Sequence, residues 1–424
     1  MATEITAIAP LRVLLIANYL ADQQHSMLRY ARLLEQGLRS AGANVTVLRP
    51  AMRLARWAKP GGKIAKFLGY VDKFGLFSIE LVFKLRRFFR AGSGVVHLLD
   101  QGNGVYFALI ARYPHLVTCH DLIVLKAGLA SQNTQMPTPE PDLGHSSARL
   151  PGLDAPSQRL SHYQQCNWQS LKRTRWMVCV SEATKQDALR LLGVAPDRCV
   201  VIYNPLAPEF QTQTSDLGPA NTRLAASTDA MGEITHDPYL LHVGSASFYK
   251  NRPGLLHIYS ELRKQGCRLR LVIVGAPLNE SEHILAERLG ILALIQNCVD
   301  KSDAWIRAAY AQAEALIFPS LDEGFGWPIL EALAQGCLVF TTNRRPMTEV
   351  GGTAARYFDP ENPSEAAGVI LATLTLRADP VVRSVLIAAG KVQAAQFTLE
   401  KFAQEYLDVY QRIALNPPLL RRIG

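Results

Sequence analysis

Two carboxylates, Glu323 and Glu331, bracket the stretch of this chain with the clearest chemistry: Pro319-Ser-Leu-Asp-Glu-Gly-Phe-Gly-Trp-Pro-Ile-Leu-Glu331. An apolar strand leads into Pro319, and Gly324 and Gly326 supply a tight loop. Pro328 suits the first turn of a helix, where a missing N–H is not needed. That helix is expected to run through Glu331, Ala332 and Leu333 and to end near Gly336. A glycine-rich strand-to-helix turn aims backbone N–H groups outward at a helix N-terminus, which favours an anion such as phosphate. Glu323 in the loop and Glu331 one turn into the helix can face one ligand from different angles and accept hydrogen bonds from its hydroxyls. A lone glutamate here would do no more than complement the positive helix end. The whole thirteen-residue string argues instead for a ligand carrying both phosphate and hydroxyl groups.

A second group, Cys119-His120-Asp121, closes another apolar run. Several other chemistries are excluded. No G-x-G-x-x-G follows the first strand, and there is no G-x-x-x-x-G-K-[ST], H-E-x-x-H or G-x-S-x-G. No Asp-x-Asp occurs, so a metal-diphosphate clamp has no candidate. The seven cysteines are scattered, which argues against a disulfide framework and a cysteine metal site and suits a reducing cytoplasm.

The elements that must hold these groups read as two strand–helix arrays. Apolar runs at 12–18, 44–48, 95–99, 116–121, 176–181 and 199–204 alternate with helical patterns, the first of them starting at Ser26 as its N-cap. The rhythm restarts at 239–244, 270–275, 314–319 and 338–342. Continuous apolar strands separated by helices imply parallel sheets covered on both faces. At 424 residues, 48% hydrophobic and 19% charged, the chain is globular and long enough for two domains. It contains no run of 18 apolar residues, and residues 1–10 do not read as a signal peptide. Residues 206–237 are polar and small-rich and suit a linker, and 128–158 reads as an insertion. The expected domains are 1–205, closed by a helix at 397–415, and 238–396, facing each other across a cleft.

The 319–331 string closely resembles the E-x7-E motif of glycosyltransferase family 4, whose members are retaining enzymes of GT-B fold. HVGSASFYKNRPGLL (242–256), LVIVG (271–275), MVCVSEATKQD (177–187), the 12–48 unit and the closing FTLEKFAQEYLDVYQRI (397–413) resemble other parts of that family. The resemblance implies that Glu331 holds the ribose hydroxyls of a nucleotide. It implies that Glu323, with Gly324, Phe325 and Gly326, orients the donor sugar, and that Lys250 neutralises the donor diphosphate. Gly244 falls in the same donor loop, and Arg252 is the candidate second phosphate cation. His120 matches the family's histidine near sugar and acceptor. Where many members carry a glycine pair, this chain has ANYLADQQHSM (17–27), so Gln24, Ser26 and Asp121 are the acceptor-side candidates. Asn204, in YNP, resembles the asparagine at the family's domain junction. The implied reaction is metal-independent transfer from a UDP- or GDP-linked sugar, without a cofactor, to a glycan or glycolipid of the cell envelope. A sugar-nucleotide-binding or scaffold protein of weak activity is the alternative.

The formal charge of +9 is local. Between Arg53 and Arg90 lie ten basic residues against Asp72 and Glu80, leaving +1 for the remainder. Eight aromatics share the segment, and Ile64, Phe67, Leu68, Val71 and Phe74 fall on one helical face. This suits either an interfacial helix on anionic lipid, at the cytoplasmic face of an inner membrane, or a packed helix with a solvated basic face. No nucleic-acid module surrounds it, so nucleic acid is not an expected partner.

Overall fold

The computed structural model describes residues 10–59, 62–132, 162–211 and 237–415. Most of the expected linker and insertion therefore lies outside the described residues. The chain divides into two units: 1–125, 159–205 and 399–424 form the first, and 126–158 with 206–398 form the second.

The first unit holds six parallel strands, β1 Arg12–Ile16, β2 Asn44–Leu48, β3 Val95–Leu98, β4 His115–Cys119, β5 Met177–Cys179 and β6 Cys199–Val201, in the order β2-β1-β3-β4-β5-β6. The second holds β7 Tyr239–Val243, β8 Arg270–Val274, β9 Ile295–Cys298, β10 Ala315–Phe318, β11 Leu338–Thr342 and β12 Arg356–Phe358, in the order β12-β11-β10-β7-β8-β9. Both are doubly wound, but they differ. The second follows the Rossmann order, with its direction reversing between β7 and β10, while the first reverses between β1 and β3 as in flavodoxin-like sheets. The central strands β3, β4 and β10 are buried along their whole length, which explains why they read as unbroken apolar runs.

Helix His25–Ser40 packs Tyr30, Leu33, Leu34, Gly37 and Leu38 inward. It starts one residue before the expected cap. Gln23 turns with positive φ, Gln24 takes the N-cap position without a side-chain cap, and Ser26 is exposed inside the first turn. Helix Leu399–Leu415 belongs to this unit, and Gly37 allows the close approach, since a Cβ there would lie 3.0 Å from Ala403 Cβ. A buried hydroxyl network joins the two helices to the sheet. Tyr30 bonds Thr118 at 2.9 Å and also bonds Tyr406, while His97 contacts Tyr410 and Thr118, each at 2.7 Å.

The basic segment departs from an unbroken α-helix. Helix Lys63–Tyr70 passes through a π-helical stretch, Val71–Leu76, into helix Phe77–Arg90. The expected apolar face is split: Ile64 and Phe67 are exposed, while Leu68, Val71 and Phe74 are half-buried. Asp72 is buried, and its carboxylate accepts hydrogen bonds from the backbone N–H groups of Arg53, Leu54 and Ala55. That clamp fixes the loop carrying Trp57.

Candidate active site

The expected donor-side residues gather at the carboxyl ends of β7 and β10, the place where the second sheet reverses and where ligands bind such sheets. After β10 the chain passes Pro319 and Ser320 to Glu323, which is 9% exposed. Gly326 then adopts φ +104°, a conformation glycine takes freely, and opens helix Trp327–Ala334 with Pro328 in its first turn and no side-chain cap. Phe325 is buried, its ring edge against Trp327 and Phe397. Glu331, 4% exposed, lies one turn into the helix and accepts a hydrogen bond from Tyr310 Oη at 3.1 Å.

The loop after β7 brings in the cation. Lys250 ends a short turn, Phe248–Lys250, and its Nζ lies 2.6 Å from Glu323 Oε1 and 4.9 Å from the Phe318 ring centroid. Asn251, with φ +53°, caps the next helix by accepting from Gly254 N and donates its Nδ2 to Pro319 O at 3.2 Å. Leu321 N donates to Tyr249 O at 2.7 Å. These two bonds tie the Lys250 loop to the Glu323 loop, so the pair is set by backbone as well as by charge. Gly244 follows β7, and a Cβ there would lie 3.2 Å from His242 Nε2. His242 is buried with Nδ1 3.0 Å from Ile317 O; burial first, then Lys250 and Arg252, pushes its pKa down to about 4. The neutral ring donates from Nδ1, and Nε2 has no hydrogen-bond partner among the described residues. Ser320 Oγ is likewise unpartnered.

Arg252, the candidate second phosphate cation, lies deeper than Lys250. It is 1% exposed, donates from Nη1 to Ala276 O at 2.9 Å, and pairs through Nη2 with Glu282 at 3.3 Å. That pairing joins the β7 and β8 loops, and Nε has no hydrogen-bond partner among the described residues.

In the first unit, polar residues line the carboxyl ends of β1, β3 and β4. His120 is buried; its Nε2 donates to Leu99 O at 2.8 Å and its N–H to Gln101 Oε1. Burial lowers its pKa, opposed by the Asp100 carboxylate and the Leu99 carbonyl, so at neutral pH the ring is neutral and Nδ1 is an acceptor. Asp121 accepts from Ile123 N at 3.1 Å, which fixes the start of the following helix. Gln24 accepts from Asn18 Nδ2, and Asn18 also donates to buried Asp100. Asn204 is buried, and its Oδ1 has no hydrogen-bond partner among the described residues.

Asn18, Asp100, His242, Ser320 and Tyr310 were not singled out from sequence. Asp100 carried a signal, since it ends a strand run as Asp121 does, and His242 interrupts the apolar run YLLHV.

Two family models cover most of the chain: Glycosyltransferase Family 4 matches residues 27–210, and Glycosyl transferases group 1 matches residues 228–390. The chain belongs to glycosyltransferase family 4. This family 4 chain is 27% identical over 260 residues to O-antigen chain mannosyltransferase B of Escherichia coli, covering 60% of the chain and 65% of that protein. It is 28% identical over 198 residues to an MMP alpha-(1->4)-mannosyltransferase of Mycolicibacterium hassiacum, covering 46% and 44%. The family 4 chain thus spans less than two thirds of the length of these curated relatives. A glycosyltransferase structure from Rickettsia africae superposes with a TM-score of 0.65 at 15% identity, covering 96% of this chain and 100% of that one. That likeness, with the two parallel six-stranded sheets, gives this family 4 chain the GT-B fold. No helix among the described residues is long and apolar enough to cross a membrane.

Proposed function

We propose that this chain is a retaining glycosyltransferase that works without a metal or cofactor. It moves a sugar from a UDP- or GDP-linked donor to a glycan or lipid-linked acceptor in cell-envelope polysaccharide assembly. The observation carrying this reading is the meeting of Lys250 and Glu323 at the reversal of the second sheet, on loops 73 residues apart in sequence, with Glu331 one turn into the helix that follows. Breaking the bond between the anomeric carbon and phosphate leaves an electron pair on the nucleoside diphosphate and cationic character on the sugar. Lys250 and the uncapped 327–334 helix N-terminus stabilise the first charge, the work a divalent cation does in metal-dependent transferases. Glu323 holds sugar hydroxyls and favours the cation, and Glu331 holds the ribose. The acceptor hydroxyl attacks on the face the phosphate leaves, and its proton passes to the departing phosphate oxygen. On the acceptor side, neutral His120 accepts a hydroxyl hydrogen bond at Nδ1, beside Gln24 and Ser26. The O-antigen name of the E. coli relative supports the choice of acceptor class.

The test is incubation with UDP- and GDP-sugars in EDTA, followed by NMR of the anomeric configuration of the product. Retained configuration in EDTA is expected. An inverted product, or activity restored only by manganese or magnesium, overturns the mechanism. Nucleotide binding without donor turnover would instead favour the binding-protein alternative.

The exposed surface of 52–83 supports a second reading, that the protein rests on the anionic cytoplasmic face of an inner membrane. Eight of the 19 exposed large apolar residues among the described residues lie in that stretch, among them Trp57, Ile64, Phe67, Tyr70, Ile79 and Phe83, interleaved with the basic residues. Such a pairing of apolar and basic groups is what an interfacial helix requires.

A further inference from the structure

The buried phenol behind Glu331 has no role in the chemistry so far. Tyr310 sits near the end of helix Asp303–Gln312, is fully buried, and gives its hydroxyl hydrogen to Glu331 Oε2 at 3.1 Å. Its ring meets Phe210 edge-on at 6.2 Å between centroids, and Phe210 is held in turn by Gln335 Nε2, which donates to its carbonyl at 2.6 Å. The phenol is therefore fixed from behind by packing, with its hydroxyl aimed at the carboxylate.

A glutamate side chain turns about several bonds, so a carboxylate that must meet two hydroxyls at once gains from being held in one plane. A neutral hydroxyl does this without adding a charge that would compete with the ligand. A site built around hydrogen bonds to substrate hydroxyls also discriminates strongly against an analogue lacking one, because its polar groups are left unpaired.

We propose that Tyr310 is a positioning residue that orients the Glu331 carboxylate and thereby sets the preference for a ribonucleotide over a deoxyribonucleotide donor. This rests on the assignment of Glu331 to the ribose. Tyr310 touches no part of the donor; it acts through Glu331.

The test is calorimetric titration of UDP, GDP and their 2′- and 3′-deoxy counterparts into wild-type protein, Tyr310→Phe and Glu331→Ala. Tyr310→Phe keeps the ring contact with Phe210 and removes only the hydroxyl. It is expected to weaken the cognate ribonucleotide about 5- to 30-fold, a part of the roughly 10- to 150-fold that losing a hydrogen bond to a charged group costs. The deoxy forms should weaken by less, so the ribo-to-deoxy ratio narrows. With donor saturating, kcat should stay within about twofold of wild type while KM for the donor rises. Tyr310→His, whose ring nitrogens stop short of the place of the phenol oxygen, should not restore the ratio and serves as the second variant if Tyr310→Phe folds poorly. Equal weakening of ribo and deoxy forms, or an unchanged ratio beside a narrowed one in Glu331→Ala, overturns the proposal. An unchanged ratio in Glu331→Ala overturns the ribose assignment itself.

Discussion

Lys250 and Glu323, each with its side chain about a tenth exposed, form an ion pair of 2.6 Å across two loops of the second unit. The group proposed to neutralise the leaving phosphate and the group proposed to orient the sugar are thus each other's partners before any donor arrives. A donor must draw the ammonium toward phosphate and the carboxylate toward sugar hydroxyls, so the two charges move from one partner set to another without either being left bare.

The coupling between them is measurable. Lys250→Ala and Glu323→Gln are each expected to lower kcat by about 10²–10³, the scale of losing one charge-stabilising group. Each removes the other's partner, so the double variant should lose much less than the product of the two factors. Steady-state rates of the four proteins give the cycle; strictly multiplicative losses would show that the pair is incidental.

Removing the ribose carboxylate should act on binding rather than on the reacting bond. Glu331→Ala should weaken the cognate nucleoside diphosphate by about 1.5–3 kcal/mol, the range for a hydrogen bond to a charged group. Titration of a folded variant with unchanged affinity would refute the assignment.

Acid should loosen the second unit through His242. Its pKa is about 4 when folded, against about 6.5 unfolded. Between those values the unfolded chain binds a proton that the folded one refuses, so stability is full above pH 6.5 and falls as pH drops toward 4. The total is roughly 3 kcal/mol, and about 2 of it is gone by pH 5. His242→Gln removes this titration, so its unfolding midpoint in denaturant should change less between pH 7 and 5 than that of wild type. Identical changes in the two proteins would argue against the buried neutral ring.

On a membrane, the protein should sediment with anionic vesicles at low salt and far less with neutral ones. Each near-surface Lys or Arg contributes roughly 1 kcal/mol, screened beyond about 8 Å at physiological ionic strength. Replacing exposed Lys63, Lys66, Arg86 and Arg87 by glutamine should remove most binding, and Trp57→Ala should weaken what remains. Lys73 is a poorer choice because it is paired with Asp22. Turnover of a short soluble acceptor should hardly change. Failure to bind any vesicle would leave the patch as an exposed protein surface.

The sequence exposed ten of the twelve described strands because buried parallel strands are largely apolar; it missed the edge strands β9 and β12, whose IQNC and RYF are not apolar runs. It exposed the 319–331 string because glycine, proline and glutamate there each meet a separate local demand. Strand order was not legible, since a run such as LVIVG carries no mark of its neighbour. The Lys250–Glu323 pair depends on that order, because it forms only when β7 lies beside β10. Tyr310 was hidden for another reason: a tyrosine on the buried face of a helix reads as core whether or not its hydroxyl has a task. The pairing of Arg252 with Glu282 was not legible either, as its position near Lys250 in sequence says nothing of Glu282. The π-helical stretch in the basic segment was not legible because α-helical spacing assumes no extra residue in the turn.

The return of helix Leu399–Leu415 to the first unit means that the amino-terminal half of this protein is finished last. As the ribosome works along the message, Tyr30, His97 and Thr118 emerge hundreds of residues before Tyr406 and Tyr410 exist to meet them. Residues 206–398 are complete before that helix is made, so the second unit can fold while the first still has an open flank. A nascent chain halted before residue 399 should therefore carry a protease-resistant second unit beside a susceptible first one. A cut near residue 398 in the finished protein should loosen the unit that begins the chain.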